Sequence, residues 1–354
     1  MRTACVERSQ FAPLTCKKDL NVINCSPVLS RRRGLQLALG CFAGAIIPAP
    51  SARAQTFRRV CIAFGTRVSI IVQARSEAQA CSAFDASFAE IRHIDHLAGL
   101  VRPDSALFQL NRDGVINAPD PALIEMLDMA QVMYRATEGF FDVTVQPLWR
   151  ALDIAAKSGT WPDESEIQAL CQRVDQRAMT YSNERIVFTR PGMGMTLNSL
   201  ARGLAADRVS SVLEAHEIAN AFLDTDVLQG LGAPEHGRPW RATIRDPRNP
   251  TADVGTSGVN GFLATSGDYQ YFWSPDFRRN HILDPHTGAS PQDFASVSVI
   301  ASSGLLADAL STAVFLIGRE KAARLLATFK AEGFFVAKNG KSEKTEGFPL
   351  LMDV

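Results

Sequence analysis

Apolar residues recur along the chain at two spacings, and the places where one spacing gives way to the other mark most of the elements. From Arg59 to Gln73 the chain is dense in Val, Ile and Phe and breaks at Gly65-Thr66, which predicts a bent strand or two paired strands. After Ser76, Ala80, Phe84, Phe88, Ile91 and Ile94 follow helical spacing and predict an amphipathic helix to about Leu97. Asp104-Ser105 can cap the next turn, Pro121 opens a helix to about Thr137, and Asp163 to Arg173 predicts a third. Met179 to Arg190 reads as a hairpin turning at Ser182-Asn183-Glu184 and ended by Pro191-Gly192.

The second half repeats this mixture without strict strand–helix alternation. A helix is expected from about Ser199 to Ala215, then a strand near Asn220 to Leu228, a glycine-rich loop and a strand from Trp240 to Arg245. Strands at Val259 to Thr265 and Ala295 to Ala301 precede helices at Leu305 to Ile317 and Arg319 to Ala331, and Gly333 to Ala337 closes the series. Such an order favours an α+β class over a doubly wound parallel sheet.

The N-terminal stretch follows a different logic. Ser30 and Arg31 to Arg33 precede an apolar run from Leu35 to Ile47, and Ala52-Arg53-Ala54 supplies a small-residue cleavage site before Gln55. A basic start, a short apolar run and an A-x-A end make a secretory signal, and the paired arginines point to the twin-arginine route and a periplasmic destination. The run is too short to span a bilayer comfortably. About thirty residues precede the arginines, long for a signal, so the start codon is expected downstream of Met1. Lipoprotein processing at Gly40-Cys41 would leave only about six apolar residues, and cleavage after Ala54 is preferred. The expected organisation is therefore a signal over 1–54 and a mature chain over 55–354, long enough for a large core in one or two domains.

Cleavage changes the charge picture. The full chain carries 37 Lys/Arg and 37 Asp/Glu; residues 1–54 hold eight and two of these, so the mature chain has a net charge of −6. It has no basic footprint for nucleic acid. Cys61, Cys81 and Cys171 remain, too few and too scattered for a disulfide framework or a zinc site, and are expected as small core residues.

Four segments could carry chemistry. Asp308 and Thr312 stand four apart on a predicted helix and so project oxygens from one face, a pattern that suits a hard cation such as Mg²⁺. Taken alone, the pair reads better as an Asp near a helix start beside a packed Thr. In HILDPHTG, His281 to Gly288, a turn presents two imidazoles, and no third ligand lies at zinc spacing. TSGDY, Thr265 to Tyr269, places small residues beside Asp268 after an apolar strand; its plain alternative is a capped turn. GFFDVTVQPL, Gly139 to Leu148, reads on composition as an edge strand beside Asp142.

In order, Phe64-Gly65-Thr66, Asp104-Ser105 with Asn111, GFFDVTVQPLW, ARGLAAD, GRPWRATIRDP, LATSGDY, HILDPHTG and ADALSTAVFLIG resemble the FAD:protein FMN transferases, the ApbE family. The resemblance covers nearly all of the mature chain. It implies an ApbE-like fold with a nucleotide cleft, Mg²⁺ as cofactor and FAD as substrate. It also implies transfer of FMN to a Thr or Ser hydroxyl of a redox protein, with loss of AMP. Relatives exported by the twin-arginine route that serve nitrous oxide reductase systems suggest a membrane-associated acceptor.

Carried over by position, Asp308, Thr312 and the Ser199 carbonyl would hold the metal, with Asp308 and His281 catalytic. Phe64, Phe140, Phe141 and Asp142 would contact flavin or adenosine, Arg202, His281 and Ile282 would lie near the nucleotide, and Asp268 and Tyr269 would shape the pocket. The chain departs from the family at three places. Thr196-Leu-Asn-Ser-Leu-Ala-Arg-Gly203 stands for Asp-Leu-Gly-Gly-Ile-Ala-Lys-Gly, Thr225-Asp226 for a Gly-Gly pair, and Val101 for a tyrosine. These replacements motivate a second reading, a non-catalytic flavin-binding or maturation factor of the same family. A binding protein for some other small ligand would leave the ordered motifs unexplained.

Overall fold

The computed structural model describes residues 21–22, 54–233 and 238–351. The expected export segment therefore lies almost wholly outside the described residues, as does part of the glycine-rich loop. Within them, β1 (Asn21–Val22), β2 (Gln55–Ala63) and β3 (Thr66–Ala74) start the chain, followed by α1 (Glu77–Leu97), α2 (Ala106–Asp113), β4 (Val115–Asn117) and α3 (Pro121–Ala136). A 3-10 turn at Val143–Val145 leads into α4 (Gln146–Ser158), and α5 (Glu164–Cys171), β5 (Met179–Tyr181) and β6 (Arg185–Phe188) complete the first half.

The second half runs α6 (Ala201–Ala215), β7 (Asn220–Asp224), β8 (Val227–Leu231), β9 (Trp240–Arg245), β10 (Asp253–Val259), β11 (Gly261–Gly267) and β12 (Phe294–Ala301). Then come α7 (Gly304–Ile317), α8 (Arg319–Thr328), β13 (Glu332–Ala337), β14 (Ser342–Lys344) and β15 (Leu350–Leu351). Nine strands form one sheet in the order β1-β2-β3-β7-β8-β11-β12-β13-β14; β15-β10-β9 and β4-β6-β5 form two smaller ones. β1 pairs parallel to β2 and every other pairing is antiparallel, which is the expected α+β arrangement.

One face of the large sheet packs on α1, α6 and α7. The apolar stripe of α1 supplies Phe84, Phe88, Ile91 and Ile94 to that core, and Ser76 caps the helix by accepting from the Gln79 N–H. The other face meets the β15-β10-β9 sheet through Ile244, Val259, Leu263, Phe334, Val336 and Phe348. Among the described residues no helix is long and apolar enough to cross a membrane.

Several sequence expectations change in three dimensions. The Arg59–Gln73 run is two strands, and both Phe64 and Gly65 have positive φ (52° and 72°), as a two-residue hairpin turn of the I′ type requires. Asn220 to Leu228 is likewise two strands, folded at Thr225-Asp226. The expected edge strand in GFFDVTVQPL is helical. Asp142 accepts from the Thr144 N–H (2.7 Å) and Pro147 occupies the first turn of α4, so capping overrides the β-propensity of the two valines. Cys61 and Cys171 are free and half-buried, whereas Cys81 is disulfide-bonded, so the three are not equivalent core residues.

Candidate active site

The site is built where α6 crosses α7. A Cβ on Gly203 would lie 2.2 Å from the Gly304 carbonyl oxygen, and one on Gly304 would lie 2.4 Å from that of Gly203, so only glycine permits the approach on either side. Asp207, one turn along α6, caps the incoming helix by accepting from the N–H groups of Gly304 (2.6 Å) and Leu305 (2.9 Å). The Ala201–Asp207 segment thus sets both the spacing and the start of α7.

The crossing delivers Asp308 to the first turn of α6. Its Oδ2 accepts from the Gly203 N–H at 3.1 Å. In a continuing helix that N–H would donate to the carbonyl four residues back, which belongs to Ser199. The Gly203 N–H is therefore directed to the Asp308 carboxyl rather than along the helix. Thr312, one turn beyond Asp308, is held by Ser266 of β11 at 3.0 Å, and Ser266 also meets Ser311 at 2.8 Å. Burial of the Asp308 carboxyl raises its pKa to about 7, against the lowering influence of the Arg202 guanidinium and the Gly203 N–H. The Asp308 carboxyl and the Thr312 hydroxyl, both oxygen donors on one face of α7, have the chemistry that suits a hard divalent cation.

Beside this crossing lies a cleft of about 410 Å³ lined by Phe64, Asp95, Val101, Arg102, Asn198 and Arg202, among others. Phe64 sits at the hairpin tip in a left-handed conformation, and its N–H donates to Asp95 Oδ1 on α1 at 2.8 Å. Asp95 and Arg102, which pair at 3.6 Å, were not expected from sequence; the one signal is an acid set directly beside the apolar Ile94 on α1. Val101, at 85% exposed, stands at the rim of the cleft. Asn111 clamps the segment leading into α6 from both sides, donating to the Met195 carbonyl (2.8 Å) and accepting from its N–H (2.6 Å).

His281 is fixed through Nδ1, 3.0 Å from the Tyr271 carbonyl oxygen. A carbonyl can only accept, so Nδ1 carries the proton and Nε2 presents a lone pair. Burial, with help from the Arg202 charge, lowers its pKa to about 4 and keeps the ring neutral at pH 7. Arg202 acts electrostatically on both His281 and Asp308, and so stands between the cleft and the α6–α7 crossing. Tyr269 leans on Gly267, where a Cβ would lie 2.3 Å from its ring, and burial raises its phenol to about 12.

The other sequence-assigned residues have these surroundings in the structure. Phe141 (2% exposed) and Ile282 (5%) belong to the core, so their side chains do not line the cleft. Phe140 is the ring nearer the surface and meets His286 edge-on at 4.8 Å between centroids. Asp142 spends both oxygens internally, accepting from Thr144 Oγ1 and N–H and from the Gln176 N–H, so it holds the loop in place. Asp268 is fully buried and paired with Arg248 through both oxygens (2.7 Å each) and with Lys338 (2.8 Å), which makes it a strut behind the pocket. Thr196 donates its N–H to the Val143 carbonyl at 2.8 Å and brings no charge.

Residues 64–335 match the model of the ApbE family. The chain belongs to the ApbE family. It is 28% identical over 265 residues to the FAD:protein FMN transferase of Escherichia coli (strain K12), covering 71% of this chain and 75% of that one. With the protein of the same name from Rhodobacter capsulatus it shares 30% identity over 84% of this chain and 58% of that one. The apo structure of the Pseudomonas stutzeri flavinyl transferase ApbE superposes with a TM-score of 0.71 at 25% identity, over 83% of this chain and 96% of that one. The α+β architecture is thus that of the ApbE family, and the ordered segments that carried the resemblance fall inside the matched region.

Proposed function

We propose that this chain is a FAD:protein FMN transferase that uses Mg²⁺ and acts on an exported or membrane-associated redox protein. The observation that supports the reading is the α6–α7 crossing, where the Asp308 carboxyl accepts from the Gly203 N–H next to Arg202, which lines the cleft, and Thr312 stands one turn further on. In the reaction, a Thr or Ser oxygen of the acceptor bonds to the phosphorus of the FMN half of FAD. The bond from that phosphorus to the bridging oxygen breaks, AMP leaves with the bonding pair, and the acceptor hydroxyl loses its proton.

Each residue has a part in that sequence of events. Arg202 meets a phosphate of the ligand, a role a guanidinium serves with a broader set of donors than an ammonium. Neutral His281 accepts the hydroxyl proton at Nε2. Asp308, Thr312 and the Ser199 carbonyl hold the cation, which when bound neutralises charge developing on the phosphate oxygens. Phe64 supplies an apolar wall for a flat ring.

Mature protein incubated with FAD, Mg²⁺ and an acceptor domain bearing a Thr or Ser target should release AMP and leave flavin fluorescence on the denatured acceptor. Failure of both signals across several acceptors and divalent metals would sink the reading. Export rests on Arg31, Arg32 and the Ala52-Arg53-Ala54 site. Changing both arginines to lysine should hold the precursor in the cytoplasm, as cell fractionation would report.

A further inference from the structure

The β7–β8 turn carries features that the transfer reaction does not call for. Asp226 has φ +71°, a left-handed conformation that glycine adopts freely and aspartate rarely. The turn is nevertheless well fixed. Thr225 is fully buried, and its hydroxyl lies 3.3 Å from the Arg202 carbonyl and 3.1 Å from that of Val227, while the Asp226 N–H donates to Asp224 Oδ1 at 3.2 Å. Thr225 therefore ties the turn to the backbone of the residue that bears the cleft's guanidinium.

That tether decides where the Asp226 carboxylate points. Its Oδ2 lies 3.4 Å from Arg202 Nε. Arg202 Nε is buried and makes no hydrogen bond, so the pairing is a through-space charge contact and not a locked fork. The two partners are 28% and 42% exposed, a half-solvated pair of the kind that exchanges partners at modest cost. Burial dominates the raised Asp308 carboxyl and Tyr269 phenol, and the Asp226 charge adds to both.

We propose that Asp226 is a specificity-determining residue: an internal anion that occupies Arg202 in the free protein and that a ligand phosphate must displace. The inference rests on the flavin-transfer reading of the cleft. Removing the Asp226 charge frees Arg202 and removes a repulsion, so phosphate-bearing ligands gain and neutral flavin does not.

The test is equilibrium binding of FAD, AMP and riboflavin to the full chain and to Asp226→Asn and Asp226→Gly. Both replacements suit a left-handed backbone, so neither forfeits the fold. FAD and AMP should bind both variants about three- to fivefold more tightly, riboflavin should be unchanged, and the gain should shrink with salt and in an Arg202→Met background, where only the relief of repulsion remains. FAD binding that ignores Asp226, or an equal gain for riboflavin, overturns the inference alone. Absence of FAD binding in parent and variants alike overturns the transferase reading and this inference with it.

Discussion

The α6–α7 crossing and the β7–β8 turn both face Arg202, yet they obey opposite rules. At the crossing, Gly203 and Gly304 stand where any Cβ would strike backbone. At the turn, Asp226 takes a backbone conformation that glycine would adopt more readily. The first region holds oxygen donors in a fixed relation, and backbone contact leaves no freedom there. The second region holds a charge, so a side chain is tolerated in spite of the local strain. Rigidity lies at the α6–α7 crossing, and adjustment lies at the β7–β8 turn.

Breaking the rigid side should give the largest effects. Asp308→Asn keeps an acceptor for the Gly203 N–H but removes the charge, and flavin transfer should fall at least about 100-fold, as expected for a lost ligand to a cation that stabilises the transition state. AMP release measures it, and folding should be little changed. Gly203→Ala is expected to destabilise by about 1–3 kcal/mol in urea unfolding, because the clash is with backbone. In an unobstructed helix the same change stabilises by roughly 1 kcal/mol, so the sign itself tests the close crossing.

A smaller effect concerns pH. His281 has a folded pKa of about 4, below its unfolded value near 6.5, so between these the unfolded chain binds more protons and stability rises with pH. Asp308, raised to about 7, acts in the opposite direction: over roughly pH 4 to 7 the folded chain binds the proton and stability falls as pH rises. Thermal melts of His281→Gln should therefore lose the rising component between pH 4 and 6.5 and keep the falling one. Identical pH slopes in parent and variant would show that the ring titrates normally.

The smallest effect belongs to the adjustable side. Asp226→Gly should raise stability by no more than about 1 kcal/mol, since relief of the left-handed conformation is partly offset by greater chain entropy in the unfolded state. A loss of stability would mean that the Arg202 pair contributes more than the strain costs.

Much of the framework was legible along the chain because it depends on local periodicity. The α1 stripe, the Asp163-to-Glu166 capping box of α5 and the helix beginning near Gly304 all follow from spacing and caps. The helical fate of GFFDVTVQPL was not, since the Gln176 N–H that completes the Asp142 cap arrives from 34 residues away. Phe141 resembles the half-buried Phe140 beside it in sequence, and only packing sends Phe141 and Ile282 into the core. Asp95 reached the cleft through a hairpin tip that helix periodicity cannot place.

The sequence by itself determined the class, the order of the segments and the Asp308/Thr312 pair, because a helix repeats every 3.6 residues and presents positions four apart on one face. It also displayed Arg202 and Thr225-Asp226 as separate departures from the family pattern. Only the tertiary structure decided that they are one feature, an arginine and an aspartate 3.4 Å apart. The reason is physical: the β7–β8 turn and the first turn of α6 meet through the Thr225 hydroxyl on the Arg202 carbonyl, and charges brought together in that way leave no periodic trace in the chain.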